Sequence, residues 1–325
     1  MTGARISAVD YCLGEIVESN QALLADNPTW DLAPIEAATG ITARRLSRPE
    51  QTASDLAVEA ADRLFQTSGT SRTQIDALIV CTQSPDYLIP STACILQDRL
   101  QLPTATMAFD VNMACSGYIY GLSLAHALIR SEQARTVLLI NADTYSKFIE
   151  KSNRTCRPLF GDAAAATLIE AVGGGDQIGP FDFGTDGRGY DKLILKGSGV
   201  KGGVPRAPQL NLEMDGAAVL MFTMSMVPKT IEALYKKTGF TQADIDLFVF
   251  HQASKKVLDN LSRLLSIPEE KMFRSYSEYG NTVSATIPIA LKDAVSQGRL
   301  RSGHRVMLAG FGVGLSWGSC CITWG

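Results

Sequence analysis

The sequence is poor in the residues on which metal sites and disulfide-bonded folds depend. It has three histidines and seven cysteines, and no two cysteines are spaced as C-x-x-C. No cysteine or carboxylate stands at metal-ligand spacing from the histidines, so we do not expect a metal-binding protein. An odd, scattered set of cysteines indicates a reducing compartment with mostly buried thiols.

Charge and hydrophobic runs are also limited. The formal net charge is -3, and no basic tract is long enough for general nucleic-acid binding. The N-terminus lacks the apolar core of a signal peptide, and no apolar run reaches the length of a membrane span. Apolar residues make up 46% of the chain and charged residues 19%, which is typical of a globular protein with a large core. We therefore expect a soluble, cytoplasmic protein.

One thiol stands at a predicted junction between a strand and a helix. Residues 106–111 form a short apolar run that predicts a strand, and residues 116–129 have the pattern of a buried helix. Cys115 lies between them, at the helix N-terminus, where free N–H groups and the helix dipole lower a thiol pKa. Cys115 is therefore a candidate nucleophile. The alternative is a buried, inert thiol, which is common at such junctions.

A segment of the first half returns in the second half. Residues 64–81 align without gaps on residues 234–251, and at the same shift the predicted strand 135–140 aligns on 305–310. Self-similarity at a fixed shift is the sign of a repeated architecture, here a duplication. The alternative is chance agreement between generic strand–helix units.

A run of glycines at 173–175 marks the boundary between the two repeats. Strands and helices alternate on both sides of it, so the chain predicts an α/β fold with two halves, residues 1–172 and 173–325. We expect a largely parallel sheet in each half and a pseudo-twofold axis between them.

Three predicted strand ends carry reactive side chains. Besides Cys115 these are His251, which follows the apolar strand 247–250, and Asn281, which follows Gly280. Taken singly, such a histidine is more often a hydrogen-bonded structural residue, and a Gly-Asn pair is more often a turn. The combination of a thiol, an imidazole and an amide favours one site where the two halves meet.

Three further segments of the second half have distinctive patterns. Residues 195–208 are rich in glycine and proline and predict an exposed, mobile loop. Residues 215–227 predict a helix that breaks or kinks at Pro228. Residues 310–318 contain Gly-x-Gly, but a dinucleotide site needs a following helix, and residues 315–324 have the pattern of a strand. We expect these glycines to let backbone N–H groups approach a substrate closely.

In this order and spacing, the motifs resemble the thiolase superfamily and, within it, the β-ketoacyl-acyl-carrier-protein synthase III family. The likeness runs nearly end to end, and the matching stretches are Ala114-Cys-Ser-Gly117, Leu159-Phe-Gly-Asp-Ala-Ala164, His251-Gln-Ala253, Gly280-Asn-Thr282 and Gly314-Leu-Ser-Trp-Gly318. The resemblance implies a duplicated five-layer α/β/α/β/α fold and a homodimer.

The resemblance further implies a decarboxylating Claisen condensation without a metal ion or redox cofactor. Cys115, as the thiolate, takes the acyl group from acyl-CoA, with its own N–H and that of Val313 as the oxyanion hole. A malonyl thioester on acyl carrier protein then loses carbon dioxide, and His251 Nε2–H and the Asn281 amide stabilise the enolate. The carbanion attacks the acyl group on Cys115 and leaves as a β-ketoacyl product.

Substrate-binding residues are also implied by the resemblance. Trp30 and Arg154 are similar to the family's contacts with the CoA nucleotide. Lys256, with Lys255 beside it, is similar to the basic residues that dock the acidic carrier protein. The alternatives are a core aromatic for Trp30, a surface charge for Arg154 and a solvated helix face for the two lysines.

The chain departs from the usual family pattern in three places. Ala38 stands where an arginine is expected, at the end of a segment longer than usual. Val313 replaces a middle glycine but keeps the N–H. Ile89 stands where the family often has a phenylalanine that reaches the partner subunit's acyl pocket. We expect the smaller Ile89 to enlarge that pocket and admit acyl groups longer than acetyl.

Three alternatives to this condensing activity stay open. One is a same-fold acyltransferase that loads Cys115 but passes the acyl group to an alcohol, an amine or a carrier. Another is a ketosynthase of specialised metabolism that shares these motifs. A third, a non-catalytic partner of carrier proteins, is disfavoured because Cys115, His251 and Asn281 are all present.

Overall fold

Strands and helices alternate along both halves of the chain. The structure, a computed structural model, describes residues 2–201 and 210–325, so part of the predicted loop 195–208 lies outside the described residues. The elements of the first half are β1 (Gly3–Leu13), β2 (Ile16–Ser19), α1 (Asn20–Asp26), α2 (Ala33–Thr39), β3 (Ala43–Leu46), α3 (Ala53–Ser68), β4 (Ala77–Cys81), α4 (Thr92–Arg99), β5 (Met107–Val111), α5 (Gly117–Arg130), β6 (Thr136–Asp143) and β7 (Ala163–Val172). Those of the second half are β8 (Ile178–Thr185), β9 (Leu193–Ile194), β10 (Glu213–Met214), α6 (Gly216–Thr238), β11 (Leu247–Phe250), α7 (Lys255–Leu264), α8 (Thr286–Ser296), β12 (Arg305–Gly312) and β13 (Ser316–Thr323).

Most strand pairings differ from the parallel arrangement expected from the sequence. The sheet of the first half has the order β1-β7-β6-β4-β5, and that of the second half has the order β11-β12-β13-β8. Only β4–β5, β4–β6 and β11–β12 are parallel, and the other pairs in these sheets are antiparallel. Parallel neighbours need a crossover connection, usually a helix. Only residues 313–315 join β12 to β13, so these strands form an antiparallel hairpin.

The two sheets are separated by a pair of buried helices. α5 and α8 lie between them, and their side chains share one core cluster with strands of both sheets. α3 and α4 cover the outer face of the first sheet, and α6 and α7 cover the outer face of the second. This gives five layers in the order α/β/α/β/α.

Corresponding elements of the two halves lie at the repeat found in the sequence. β4 corresponds to β11, and β6 corresponds to β12. α3 and α6 both end at a glycine in the left-handed conformation, Gly69 and Gly239, each with a φ of 71°. The structure thus agrees with a duplication.

α6 is longer than predicted, because it continues through Pro228. Of the two predicted outcomes at Pro228, a break or a kink, the break is therefore wrong. A proline removes one backbone hydrogen bond of the helix, but Val227, Ile231 and Leu234 are buried on the same face. Their packing on β11 and β12 stabilises the helix beyond the proline.

By length and composition alone, α6 could also cross a membrane. The expectation that no segment reaches this length is therefore wrong. A core helix can meet the same criterion, and one face of α6 packs on the second sheet. Much of its apolar N-terminal half instead lines the cavity described below.

The buried carboxylate of Asp162 ties two loops to the start of β7. It accepts hydrogen bonds from Ser47 N and Oγ, both at 2.8 Å, and from Ser146 N at 3.0 Å and Oγ at 2.5 Å. The adjacent backbone bonds to the second half: Asn281 N donates to Leu159 O at 2.8 Å, and Gly161 N donates to Asn281 O at 3.0 Å. The segment anchored by Asp162 therefore positions Asn281.

We expect Asp162→Asn to lower the free energy of unfolding by about 2–4 kcal/mol, because an amide offers one acceptor oxygen and turns its own N–H groups towards serine donors. Urea denaturation measures the change. The exposed Asp98→Asn is the matched control and is expected to stay within about 0.5 kcal/mol of the parent. Equal stability of the two variants would contradict the role given to Asp162.

Candidate active site

A cavity of about 370 Å³ contains the three side chains singled out in the sequence. Cys115 comes from the junction of β5 and α5, His251 follows β11, and Asn281 precedes α8. All three are at least 96% buried. The remaining wall is mostly apolar and includes Leu159, Phe160, Leu193, Val219, Leu220 and Phe311.

Two glycines of β12 let this strand pass directly over Cys115. A Cβ atom at Gly312 would lie 3.0 Å from Cys115 Sγ, and one at Gly310 would lie 2.7 Å from Cys115 O. Real Cβ atoms make such approaches rarely or not at all, so a side chain at either position would displace the nucleophile. From the sequence we expect glycines of this segment to let backbone N–H groups approach a substrate closely, whereas Gly310 and Gly312 make room for Cys115 itself.

The protonation state of Cys115 is governed by burial. Burial raises the pKa of the thiol to about 12, and the negative charge of Asp143 acts in the same direction. The backbone N–H groups of Cys115 and Val313 lower the pKa but do not outweigh burial. The lowering expected from backbone N–H groups is therefore present but smaller than the effect of burial. The two N–H groups nevertheless face the sulfur, where an acyl carbonyl bound to it would need hydrogen-bond donors.

His251 and Asn281 present nitrogen atoms to the cavity side by side. Asn281 Nδ2 lies 3.4 Å from His251 Nε2, and Asn281 Oδ1 accepts a hydrogen bond from Val283 N at 3.0 Å. That bond turns the amide so that its N–H groups point away from Val283. Burial lowers the pKa of His251 to about 3, so the imidazole is neutral near pH 7.

Thr286 was not identified from the sequence, although it contacts the other ring nitrogen of His251. Thr286 Oγ1 lies 2.7 Å from His251 Nδ1 and 3.2 Å from Val283 O. The hydroxyl has one proton for two possible acceptors. When the hydroxyl donates to Nδ1, the imidazole proton is on Nε2, facing the cavity. Threonine is common at the start of a helix, so the sequence around Thr286 did not indicate a contact with His251.

Asp143 is a second residue that the sequence analysis missed. Burial raises the pKa of its carboxyl to about 7. The carboxylate accepts hydrogen bonds from Gln83 N at 2.8 Å and from Ser284 Oγ at 2.6 Å. The only available signal was an acidic residue at the end of an apolar strand.

The predicted nucleotide-binding residues lie outside the cavity wall. Arg154 is exposed, and its Nη2 donates to Asp31 O at 3.1 Å. Trp30, which precedes Asp31 in the chain, is half-buried and is therefore not a core residue. Ala38, which replaces the expected arginine, and Thr155, next to Arg154, do line the cavity.

The predicted carrier-protein contacts and the predicted acyl-pocket residue differ in position. Lys255 and Lys256 begin α7. Lys256 lines the cavity, whereas Lys255 pairs with Asp259 one helical turn away. Ile89 is 88% exposed and does not line the cavity.

Comparisons with known proteins identify close relatives over the whole chain. A family model described as 3-oxoacyl-[acyl-carrier-protein (ACP)] synthase III matches residues 109–187, and the model of its C-terminal part matches residues 235–324. A β-ketoacyl-[acyl-carrier-protein] synthase III of Clostridium perfringens is 36% identical over 317 residues, 96% of each chain. One of Natranaerobius thermophilus is 34% identical over 334 residues and covers 100% of both chains.

Solved structures show the same relationship. A crystal structure of a 3-oxoacyl-(acyl-carrier-protein) synthase III matches with a TM-score of 0.95 and 42% identity, over 99% of this chain and 100% of the other. The Pseudomonas aeruginosa PAO1 synthase III matches with a TM-score of 0.91 and 33% identity, over 99% and 98% of the two chains.

We expect Asp143→Asn to make Cys115 more reactive at alkaline pH only. The carboxylate raises the pKa of Cys115 and, with its own pKa of about 7, is ionised above neutrality. Alkylation of Cys115 by iodoacetamide should be about 3–10-fold faster in the variant at pH 9 and equal to the parent at pH 5.5. Peptide mass mapping measures the rates, with the exposed Cys94 as internal control. Equal rates at pH 9 would refute this electrostatic coupling.

We expect Thr286→Val to remove the preference of His251 for a proton on Nε2, because the hydrogen-bond donor to Nδ1 is lost. The ¹⁵N chemical shifts of the imidazole report which nitrogen carries the proton, and variants of His126 and His304 assign the signals. Thr286→Ser keeps the hydroxyl and should keep the parent shifts. Unchanged shifts in Thr286→Val would show that another group sets the tautomer.

Proposed function

This chain belongs to the β-ketoacyl-[acyl-carrier-protein] synthase III family, and we propose that it condenses an acyl group from acyl-CoA with malonyl-acyl carrier protein. The family, the thiolase-like α/β fold and the acyltransferase class expected from the sequence are confirmed. The condensing activity is better supported than acyl transfer alone. The observation that carries the proposal is the meeting of Cys115, His251 and Asn281 in one apolar cavity.

In the first step, Cys115 is acylated. Its sulfur bonds to the acyl carbonyl carbon, the bond between that carbon and the CoA sulfur breaks, and the thiol proton ends on CoA. The N–H groups of Cys115 and Val313 face the sulfur and stabilise the oxyanion of the tetrahedral intermediate. A buried, neutral thiol reacts slowly until a thioester occupies the cavity.

In the second step, His251 and Asn281 stabilise the enolate of the malonyl thioester. His251 Nε2–H and Asn281 Nδ2–H donate to the thioester carbonyl oxygen while carbon dioxide leaves. The enolate carbon attacks the acyl carbon on Cys115, the bond between that carbon and the Cys115 sulfur breaks, and the thiolate takes a proton from solvent water. Two neutral donors suit this role, because a carboxylate in place of Asn281 would repel the enolate. These steps use no metal ion or redox cofactor.

Trp30 and Arg154 bind the CoA nucleotide in this proposal. The bond from Arg154 to Asp31 holds the guanidinium close to Trp30, and Thr155 next to it reaches the cavity wall. Lys255 and Lys256 dock the acidic carrier protein at the start of α7, and Lys256 also lines the cavity through which the carrier's arm enters.

We further propose a cytoplasmic homodimer. β5 is the edge strand of the first sheet, and Tyr87, Leu88 and Ile89 are 62%, 72% and 88% exposed. Three consecutive exposed apolar side chains favour a protein contact. In the dimer, Ile89 of each subunit gates the partner's acyl pocket. All seven cysteines are free, which suits a reducing compartment.

Intact mass spectrometry after incubation with a panel of acyl-CoAs tests both steps. We expect an acyl adduct on the parent protein, none on Cys115→Ala, and discharge of the adduct by malonyl-acyl carrier protein with release of carbon dioxide. His251→Ala should form the adduct but discharge it about 100–1,000-fold more slowly.

Two outcomes would overturn parts of this proposal. An adduct that malonyl-acyl carrier protein cannot discharge from the parent would favour an acyltransferase. The absence of an adduct from every acyl-CoA would exclude loading from CoA, and acylated carrier proteins would then be tested as donors.

A further inference from the structure

A second cavity, which we name the side cavity, adjoins the active-site cavity and has a volume of about 570 Å³. Leu193 lines both cavities. Val313, whose N–H faces the Cys115 sulfur, lines the side cavity. Tyr145, another lining residue, belongs to the same buried cluster as Cys115. An acyl group on Cys115 can therefore extend into the side cavity.

A row of three hydrogen-bonded polar side chains runs along the wall of the side cavity. Tyr145 Oη donates to Gln83 Oε1 at 2.5 Å, and Gln83 Nε2 donates to Asn112 Oδ1 at 2.9 Å. Tyr145 is 4% exposed, and burial raises its pKa, so its hydroxyl keeps its proton. All three residues line the side cavity. A plain aliphatic acyl chain has no hydrogen-bonding group for such a row to bind.

The direction of the hydrogen bonds decides what the row can still bind. Tyr145 uses its only proton on Gln83, and Asn112 Oδ1 accepts from Gln83. Two N–H groups on Asn112 Nδ2 and one on Gln83 Nε2 are left. Within residues 2–201 and 210–325 these N–H groups have no protein partner. The row therefore offers donors and is suited to an oxygen acceptor.

Asp86, a carboxylate in the wall of the side cavity, favours a neutral oxygen as the acceptor. None of its described lining residues is lysine, arginine or histidine, and Asp86 is among them. Asp86 Oδ2 accepts a hydrogen bond from Ser54 at 2.6 Å, and Oδ1 is buried without a partner. A carboxylate on the ligand would be repelled by the negative charge of Asp86. Phe148, Leu195 and Leu212 supply apolar wall for the rest of the chain.

From this arrangement we propose that the primer carried by Cys115 is an acyl group with a neutral keto or hydroxy oxygen along its chain, bound by Asn112 Nδ2 and Gln83 Nε2. The proposal rests on the proposed function, because it names the substrate class of the same enzyme. A plain acyl chain offers these donors no acceptor, whereas an oxygenated chain of equal length does, which favours the oxygenated chain.

The test compares rates of Cys115 acylation by hexanoyl-CoA, 3-hydroxyhexanoyl-CoA, 5-oxohexanoyl-CoA and adipoyl-CoA, followed by intact mass. We expect kcat/KM for at least one of the two neutral oxygenated probes to exceed that for hexanoyl-CoA by about tenfold. Adipoyl-CoA, which carries a carboxylate, should be the poorest of the four. In Asn112→Leu the ratio of oxygenated to plain probe should fall to about one.

Controls separate recognition of the primer from folding. Gln66→Leu makes the same kind of exchange at an exposed position and should keep the parent ratio. Asn112→Ala gives the same comparison if Asn112→Leu does not fold. An equal loss of both rates in the Asn112 variant would show that the row is structural and would overturn the proposal.

Failure of this proposal is distinguishable from failure of the proposed function. If hexanoyl-CoA loads the parent as fast as both neutral oxygenated probes, the proposal on the primer is wrong and the condensing enzyme stands. If no acyl-CoA forms an adduct, the loading step itself is wrong.

Discussion

The geometry of the site depends on two backbone hydrogen bonds between the two halves of the chain. Asn281 donates its N–H to Leu159 and accepts from Gly161, and the buried carboxylate of Asp162 fixes this segment through Ser47 and Ser146. These two bonds matter because the thiol of Cys115 belongs to one half of the chain, and the imidazole of His251 and the amide of Asn281 belong to the other. A duplicated fold brings two similar frames together, but it does not by itself hold their unlike side chains within reach of one substrate atom.

Burial is the second constraint, and it determines how the site handles charge. Desolvation raises the pKa of Cys115 and lowers that of His251, so neither side chain is ionised before a substrate arrives. The negative charge of Asp143 opposes the thiolate. Charge is stabilised instead by fixed N–H donors, which do not need to reorganise when an oxyanion or an enolate forms. The site therefore stabilises the oxyanion and the enolate that form during the reaction, and it does not hold Cys115 as a thiolate beforehand.

The sequence predicted the parts of the molecule that local patterns determine. The strand and helix around Cys115 begin and end within one residue of their predicted bounds, and the repeat located the duplicated elements. The motifs shared with a known family predicted that Cys115, His251 and Asn281 form one site, and all three line one cavity. Strand direction was wrong because it depends on which connections carry a crossover helix. The continuation of α6 through Pro228 depends on packing against another layer.

The residues that the sequence missed act through contacts between distant segments. Asp143 and Ser284 are 141 positions apart, and Thr286 matters because of a bond to His251, 35 positions away. No local pattern encodes such a pair. The high pKa of Cys115 was missed for a related reason, since a helix N-terminus is visible in a sequence and the depth of burial is not.

The passage of β12 over Cys115 also affects how the thiol meets foreign reagents. Gly310 and Gly312 leave no space between the strand and the nucleophile, so an electrophile reaches the sulfur only from the cavity. Peroxides and alkylating drugs attack the thiolate form, which is scarce at neutral pH in a thiol with a pKa of about 12. A thioester-like body that fills the cavity and holds an electrophile beside Cys115 therefore favours a covalent inhibitor of this protein over a small reagent of equal intrinsic reactivity.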